Sequence, residues 1–383
     1  MSEKSKVAIV RCESYDPVLV TEAVNKGINL LGGAAAFVKH AEKIILKPNV
    51  LVGDSPEKLV GPHPAVFECI AKVFKTETEN LYYGDSPGFG NNQKAYEKAQ
   101  LSVAAEKNNI KTADFITCKE VIFKESPFTK KFFIAQGVLD ADGLISISKM
   151  KTHGSMRITG AVKNQFGCVP GILKAEYHLK LPDPFDFAKM LVCLTLLVKP
   201  RLYIMDGITA MEGNGPRGGN PVNMKVLLFS TDPVALDAVM CRLINLNPEL
   251  VATITCGKEY GLGNYAENEI ELLGDSIKDL INCKFDVVRK PLEHVTTGEI
   301  ISFFKNSISS RPVIDKEKCT KCGTCVKVCP VNPKVVDWHN GNKNVPPVYN
   351  YKRCIRCYCC QELCPEKAIS IKSTFMGRLL LRR

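Results

Sequence analysis

Nine of the chain's 17 cysteines fall between Cys319 and Cys364, and their spacing constrains that segment more than anything else in the sequence. Cys319, Cys322, Cys325 and Cys329 form one C-x2-C-x2-C-x3-C-P run. Cys354, Cys357, Cys360 and Cys364 form a second with the same spacing, again closed by proline. Three thiolates at steps of three on a tight loop suit three corners of one [4Fe–4S] cube. The fourth begins the next segment and points the other way. This spacing assigns Cys319, Cys322, Cys325 and Cys364 to one cluster, and Cys354, Cys357, Cys360 and Cys329 to the other. Zinc accounts for paired C-x2-C knuckles with four ligands per ion. It does not account for a third cysteine at the same step, nor for the proline after the fourth.

The ninth cysteine, Cys359, has no place in this pattern and reads as a packed thiol beside a cluster. From Asp315 to Lys372 there are 11 Lys and Arg against five Asp and Glu, so the segment carries +6 before any cluster is bound. Between the two runs lie four prolines, the lone Trp338 and an Asn340-Gly341 pair that reads as a turn. Trp338 reads as a cover for the local core. The eight cysteines outside the cluster segment have no close spacing and most read as small buried hydrophobes, with Cys168 the candidate for a reactive thiol.

The first three hundred residues alternate between strand and helix patterns. Lys6–Arg11, Lys43–Lys47, Leu81–Tyr83, Gly143–Ser148, Arg201–Met205 and Lys225–Phe229 read as strands. Asp16–Leu31, Pro64–Phe74, Asn91–Asn109, Pro184–Val198 and Pro233–Ile244 read as helices, and Ile122–Ala135 as an antiparallel hairpin. Such alternation implies an α/β fold, a mostly parallel sheet with helices on both faces. The expected division is an α/β domain over 1–310, a small α+β domain with the cysteine runs over 311–375, and a basic tail over 376–383.

Parallel sheets bind ligands at the carboxyl ends of their strands. Five expected strand ends carry polar groups, placed here on one side of the sheet. Lys47, Asn49, Asp85, Ser86, Lys151, His153, Lys163, Asn164, Asp206 and Glu212 are the candidate ligand-binding residues. Lys47, Lys151 and Lys163 suit an anion. Asp85, Asp206, Glu212 and His153 suit a divalent metal. Lysine beside carboxylate equally suits a buried ion pair, and Asp232-Pro233 suits a helix N-cap. The turn Gly84–Gly90 before a helix has the look of an anion nest. It is neither G-x-x-x-x-G-K-[ST] nor G-x-G-x-x-G, so it does not indicate a nucleotide.

The net charge of +11 is spread along the chain with no run of five basic residues, so nucleic acid is not indicated. The most apolar run, Met190–Val198, has nine residues against the roughly 20 a membrane helix needs. With no apolar signal segment at the N-terminus, the expectation is a cytoplasmic, reducing setting, where clustered cysteines bind metal.

Several of these stretches resemble a family. They are Lys47-Pro48-Asn49, Gly84-Asp85-Ser86-Pro87-Gly88, Lys151-Thr152-His153, Gly160-Ala161-Val162-Lys163-Asn164, Asp206-Gly207-Ile208 with Met211-Glu212-Gly213 and Gly215-Pro216, and Asp232-Pro233 through Asp237. They look like the signatures of the domain of unknown function 362 family, over roughly residues 5–275. The cysteine segment resembles the bacterial dicluster ferredoxin tail common among its prokaryotic, often anaerobic members. The resemblance implies an α/β domain, two [4Fe–4S] clusters and redox work, and supplies no catalytic mechanism. The leading expectation is an electron-transfer protein serving a redox partner such as a flavoprotein. The alternatives are an iron–sulfur oxidoreductase acting on a ligand at the strand ends, and a cluster-based regulator.

Overall fold

The computed structural model describes residues 3–171, 173–292 and 309–374. The basic tail expected over 376–383 lies outside them. The strands are β1 (Ser5–Arg11), β2 (Ile44–Lys47), β3 (Leu81–Tyr83), β4 (Lys111–Thr112), β5 (Cys118–Ile122), β6 (Lys131–Ala135), β7 (Gly143–His153), β8 (Arg157–Thr159), β9 (Leu202–Glu212), β10 (Asn220–Ser230) and β11 (Ile270–Gly274). Nine of these form one sheet in the order β11-β1-β10-β9-β7-β2-β3-β4, with β8 paired to β7. The pairs β1·β11, β9·β7, β7·β2, β2·β3 and β3·β4 are parallel. β5 and β6 form the expected hairpin apart from it.

Alternation along β1 shows why the sheet is covered on both faces. Val7 and Ile9 enter one core, with the helices Pro184–Val198 and Pro233–Leu243. Ala8 and Val10 enter the other, with Pro17–Leu30 and Pro64–Lys75. Successive strand side chains point to opposite faces, so one strand serves both layers. The helix over 17–30 lies so close to β10 that a Cβ on Gly27 would stand 2.2 Å from the Phe229 ring. The expected helix over 91–109 is two, Asn92–Lys98 and Leu101–Glu106, parted at Gln100 with φ 58°.

One expectation about the sheet is overturned. β10 runs antiparallel to both β9 and β1, and Ser230 lies opposite Tyr203 near the start of β9. Ser230, Thr231 and Asp232 are therefore at the opposite edge from the ends of β2, β3, β7 and β9. Four polar strand ends share a side, not five. Asp232 caps the following helix, accepting from the N–H groups of Val234 and Ala235 at 2.8 and 3.0 Å.

The C-terminal segment is built on two small antiparallel pairs. β12 (Arg311–Ile314) pairs with β15 (Ile369–Lys372), and β13 (Val336–Asp337) with β14 (Val348–Tyr349). Trp338 covers the first cysteine loop so closely that a Cβ on Gly323 would meet its ring at 2.6 Å. Among the described residues no helix is long and apolar enough to cross a membrane.

Candidate functional site

β7 and β9 are each 11 residues long and run well past the point where the sequence suggests they stop. Lys149, Lys151, Thr152, His153 and Asp206 are therefore strand residues, and their side chains are buried rather than presented on loops. A buried charge persists only with partners, and each of these has them.

The first cluster of charges centres on Lys47. Its ammonium donates to Asp85 Oδ1 at 2.7 Å, to the Asn164 carbonyl at 2.7 Å and to Asn164 Oδ1 at 3.0 Å. Asp85 Oδ2 accepts from Val50 N at 2.8 Å. Gly167 lies against this pair, and a Cβ there would stand 1.7 Å from Asp85 Oδ1. The Ser86 hydroxyl accepts from Gly171 N at 2.8 Å, and the Ser86 carbonyl accepts from the Lys174 ammonium. The 84–90 turn is thus locked by the protein's own groups.

The second cluster centres on Asp206. It accepts from Lys149 Nζ at 2.8 Å, Tyr15 OH at 3.0 Å, His63 N at 2.9 Å and Ile208 N at 3.2 Å. Lys149 also donates to Tyr15 OH at 2.6 Å. Asn49 bridges the strands, accepting from Lys149 N and donating to the Val60 carbonyl. Lys151 donates to the carbonyls of Val60 at 2.5 Å and Pro216 at 3.3 Å, and burial with the nearby Lys163 charge pushes its pKa down to about 7.

The expected divalent site does not assemble. Asp85 faces Lys47, Asp206 faces Lys149, Glu212 accepts from Asp286 N at 2.8 Å, and His153 faces Glu362. Among the described residues no three His, Cys, Asp or Glu converge on one metal ion. Burial pushes the Cys168 thiol up to about 12, the behaviour of an inert core cysteine.

The end of β7 instead meets the cysteine-rich segment. Thr152 donates to the Gly213 carbonyl and accepts from Gly215 N, which fixes the loop between β9 and β10. That loop holds the C-terminal segment. Gln361 Nε2 donates to Asn214 Oδ1 at 2.8 Å and to the Gly215 carbonyl at 3.0 Å. Arg217 grips Asp54 with two bonds, at 2.7 and 2.8 Å, and reaches the Leu363 carbonyl at 2.8 Å. His153 Nε2 lies 3.1 Å from Glu362 Oε1, both side chains nearly inaccessible. Lys163 acts on Glu362 and Cys359 from the next turn. The sequence reading missed Glu362, Gln361 and Arg217. For Gln361 and Glu362 the signal was polar residues inside the C-x3-C step of the second run, where a free-standing module would expose them; Arg217, in the loop between β9 and β10, gave none.

His153 Nδ1 accepts from Ser155 N at 3.2 Å and Met156 N at 3.3 Å, so Nε2 carries the proton. Burial, and then the Lys163 charge, push its pKa down to about 4. The folded chain therefore binds fewer protons than the unfolded chain between about pH 4 and 6.5, and stability rises with pH across that window. Acidification from pH 6.5 towards 4 should lower the thermal midpoint, and His153→Gln should flatten that part of the profile.

The cysteines surround two separate cavities. Cys319, Cys322, Cys325 and Cys364 line one, and Cys329, Cys354, Cys357 and Cys360 line the other. Each lining draws three cysteines from one run and one from the other. A cube is held by irons at its corners, so its thiolates stand around a volume and not at a point, and both sets fit that need. Tyr349 OH donates to Cys360 Sγ at 3.2 Å. Burial pushes the Cys325 thiol up to about 12, so its ionisation needs the charge of a bound metal. Cys322 is exposed. Cys357 also lines a third cavity, of about 380 Å³, between the cysteine-rich segment and the α/β sheet.

Comparison with known proteins agrees with both halves. Residues 311–366 match a 4Fe-4S dicluster domain, so the segment binds [4Fe–4S] clusters. The chain is 30% identical over 303 residues to the thylakoid-associated protein sll1697 of Synechocystis sp. (strain ATCC 27184 / PCC 6803 / Kazusa), covering 78% of this chain and 94% of that one. Among solved structures, the lactate racemase apoprotein of Thermoanaerobacterium thermosaccharolyticum is similar with a TM-score of 0.40 and 10% identity, over 61% of this chain and 56% of that one. A Thermotoga maritima protein follows at 0.35 and 11%, over 58% and 57%. The chain spans little more than half of either structure. Residues 44–242 match the domain of unknown function (DUF362), and with that match the chain belongs to this family.

Proposed function

We propose that this protein is an iron–sulfur electron-transfer protein with two [4Fe–4S] clusters, working between a redox donor and a partner oxidoreductase. The observation that carries it is the pair of four-cysteine cavities, each drawing three cysteines from one run and one from the other. Cys319, Cys322, Cys325 and Cys364 would hold one cluster, and Cys329, Cys354, Cys357 and Cys360 the second. When bound, the clusters supply one-electron transfer. The protein's own residues set the surroundings. The cavity of Cys319, Cys322, Cys325 and Cys364, the outer of the two, has the exposed Cys322, with Lys321 and Glu366 in its wall and Lys316, Lys318 and Lys327 exposed in the same stretch of chain. That rim suits a redox partner with an acidic face, such as an acidic flavoprotein. The α/β domain would act as the body that fixes the inner cavity. Clustered thiolates of this kind need a reducing compartment, and we infer the cytoplasm.

The test is anaerobic purification followed by stopped-flow mixing of the reduced protein with an acidic flavodoxin-type acceptor. About eight irons per chain are expected, with a rate that falls as salt rises. Zinc in place of iron, or reduced clusters that pass no electrons to any acceptor, would overturn the reading.

A second reading, a redox enzyme acting on a bound ligand, is favoured by one observation. The strand-end charges are taken up by one another, and the open volume lies between the domains with Cys357 in its wall.

A further inference from the structure

We propose that the cavity between the two domains is a binding site for a planar aromatic ring compound bearing carbonyl groups, of the quinone or flavin-ring class. Its volume, about 380 Å³, lies within the range of small-molecule sites. The walls come from both domains. His153, His178, Phe187 and Val287 stand on the α/β side, and Cys357 and Tyr358 on the cysteine-rich side.

Three features of the lining select the ligand. The first is an aromatic wall. His178 stacks on Phe187 with centroids 4.4 Å apart and planes at 11°, and Phe166 meets both edge-on. Leu181, Val287 and Ile371 extend this apolar surface. Such a wall favours flat rings over flexible polar chains.

The second is charge. Arg157 lines the cavity, and its guanidinium donates to the carbonyls of Lys290 at 2.6 Å and Pro291 at 3.0 Å. His153 Nε2 lies 3.1 Å from Glu362 Oε1. Arg356 is in the wall as well, its guanidinium 5.3 Å from the centroid of the Tyr351 ring, and Asp286 supplies a carboxylate. A guanidinium keeps its charge when it donates to carbonyls, so the wall draws electron-rich ring carbonyls.

The third is the supply of hydroxyls. Ser155, Ser310 and Ser373 line the cavity, and a hydroxyl rotates to donate or accept as a ring carbonyl requires. The choice of a ring that accepts electrons rests on the electron-transfer reading, since Cys357 stands in the same wall. The existence of a site for a flat ring rests on the lining alone.

The test uses the full-length, iron-loaded protein under anaerobic conditions. Menadione binding is followed by calorimetry and riboflavin binding by quenching of its fluorescence. Saturable, one-to-one binding of either probe is expected. Val288→Trp and Leu181→Trp, both in the cavity wall, should each weaken it at least tenfold, with iron content and thermal midpoint unchanged. Menadione alone binding would fix the quinone class, and riboflavin alone the flavin ring. Binding of neither probe, or equal binding to the tryptophan variants, would overturn the site. Flavin mononucleotide binding more than tenfold tighter than riboflavin would overturn the ring as the group the site selects, since the phosphate would then carry the affinity. Iron-loaded protein that passes electrons but binds no ring would sink this proposal and leave the electron-transfer reading standing. Ring binding by a protein that holds zinc would do the reverse.

Discussion

Asp206→Ala should destabilise the α/β domain by about 3–5 kcal/mol, the usual cost of removing one partner of a buried ion pair. Asp206 is fully buried and accepts from a lysine, a tyrosine and two backbone N–H groups at once. Its loss strands the Lys149 ammonium, which is 1% exposed. Burial already lowers the Lys149 pKa, and Asp206 is what opposes that. Without Asp206 the lysine should shed its proton, which limits the damage at high pH and leaves it greatest in acid. The measurement is a urea midpoint at two pH values. A double change, Lys149→Met with Asp206→Leu, removes both charges and should recover much of the loss. A double variant as unstable as Asp206→Ala would show that the network of Tyr15, His63 and Ile208, and not the ion pair, is what the site supplies.

How far the fold was legible follows from what side-chain period records. Alternation along Ser5–Arg11 distributes Val7 and Ile9 to one layer and Ala8 and Val10 to the other, and this can be read from the sequence. Strand direction cannot, because the same alternation serves either sense. The signal for β10 was loop length. Only seven residues, 213–219, separate β9 from β10, and a parallel return needs a crossover of a dozen or more. Reading the strands as Arg201–Met205 and Lys225–Phe229 hid this, since it left room for a crossover that does not exist. The same shortening made Lys151, His153 and Asp206 look like loop residues open to a ligand. Their burial came from long strands covered by distant segments, Tyr15 and His63 over Asp206, Val60 and Pro216 over Lys151, and Glu362 over His153, and no local pattern reports what packs on top. A cysteine grouping could be proposed from the sequence because cluster geometry fixes spacing directly. Glu362 was not legible, because its partner His153 lies 209 positions away in sequence.

Pairs of cysteine variants should separate the two clusters by non-additive iron loss. Cys329→Ala alone should lose about half the iron, roughly four atoms. Cys354→Ala alone should do the same. If Cys329 and Cys354 serve one cluster, the double variant Cys329→Ala/Cys354→Ala should still retain about half, since a cluster can be lost only once. If each run of the sequence held its own cube, that double variant would lose nearly all of it. Cys329→Ala/Cys325→Ala gives the mirror test, with near-complete loss expected from crossed ligation and about half from uncrossed. The crossed arrangement is the one in which Cys329 shares a cavity with Cys354, Cys357 and Cys360, while Cys364 shares one with Cys319, Cys322 and Cys325. Cys359→Ala is the internal control. That thiol is buried next to Cys360 and lines neither four-cysteine cavity. Full iron is expected in its variant, and a half-loaded protein would mean that Cys359 has taken the place of a neighbour as a ligand. Cys354 is the better choice than Cys360 for the inner set for the same reason, because no spare thiol stands beside it in the chain to conceal the loss.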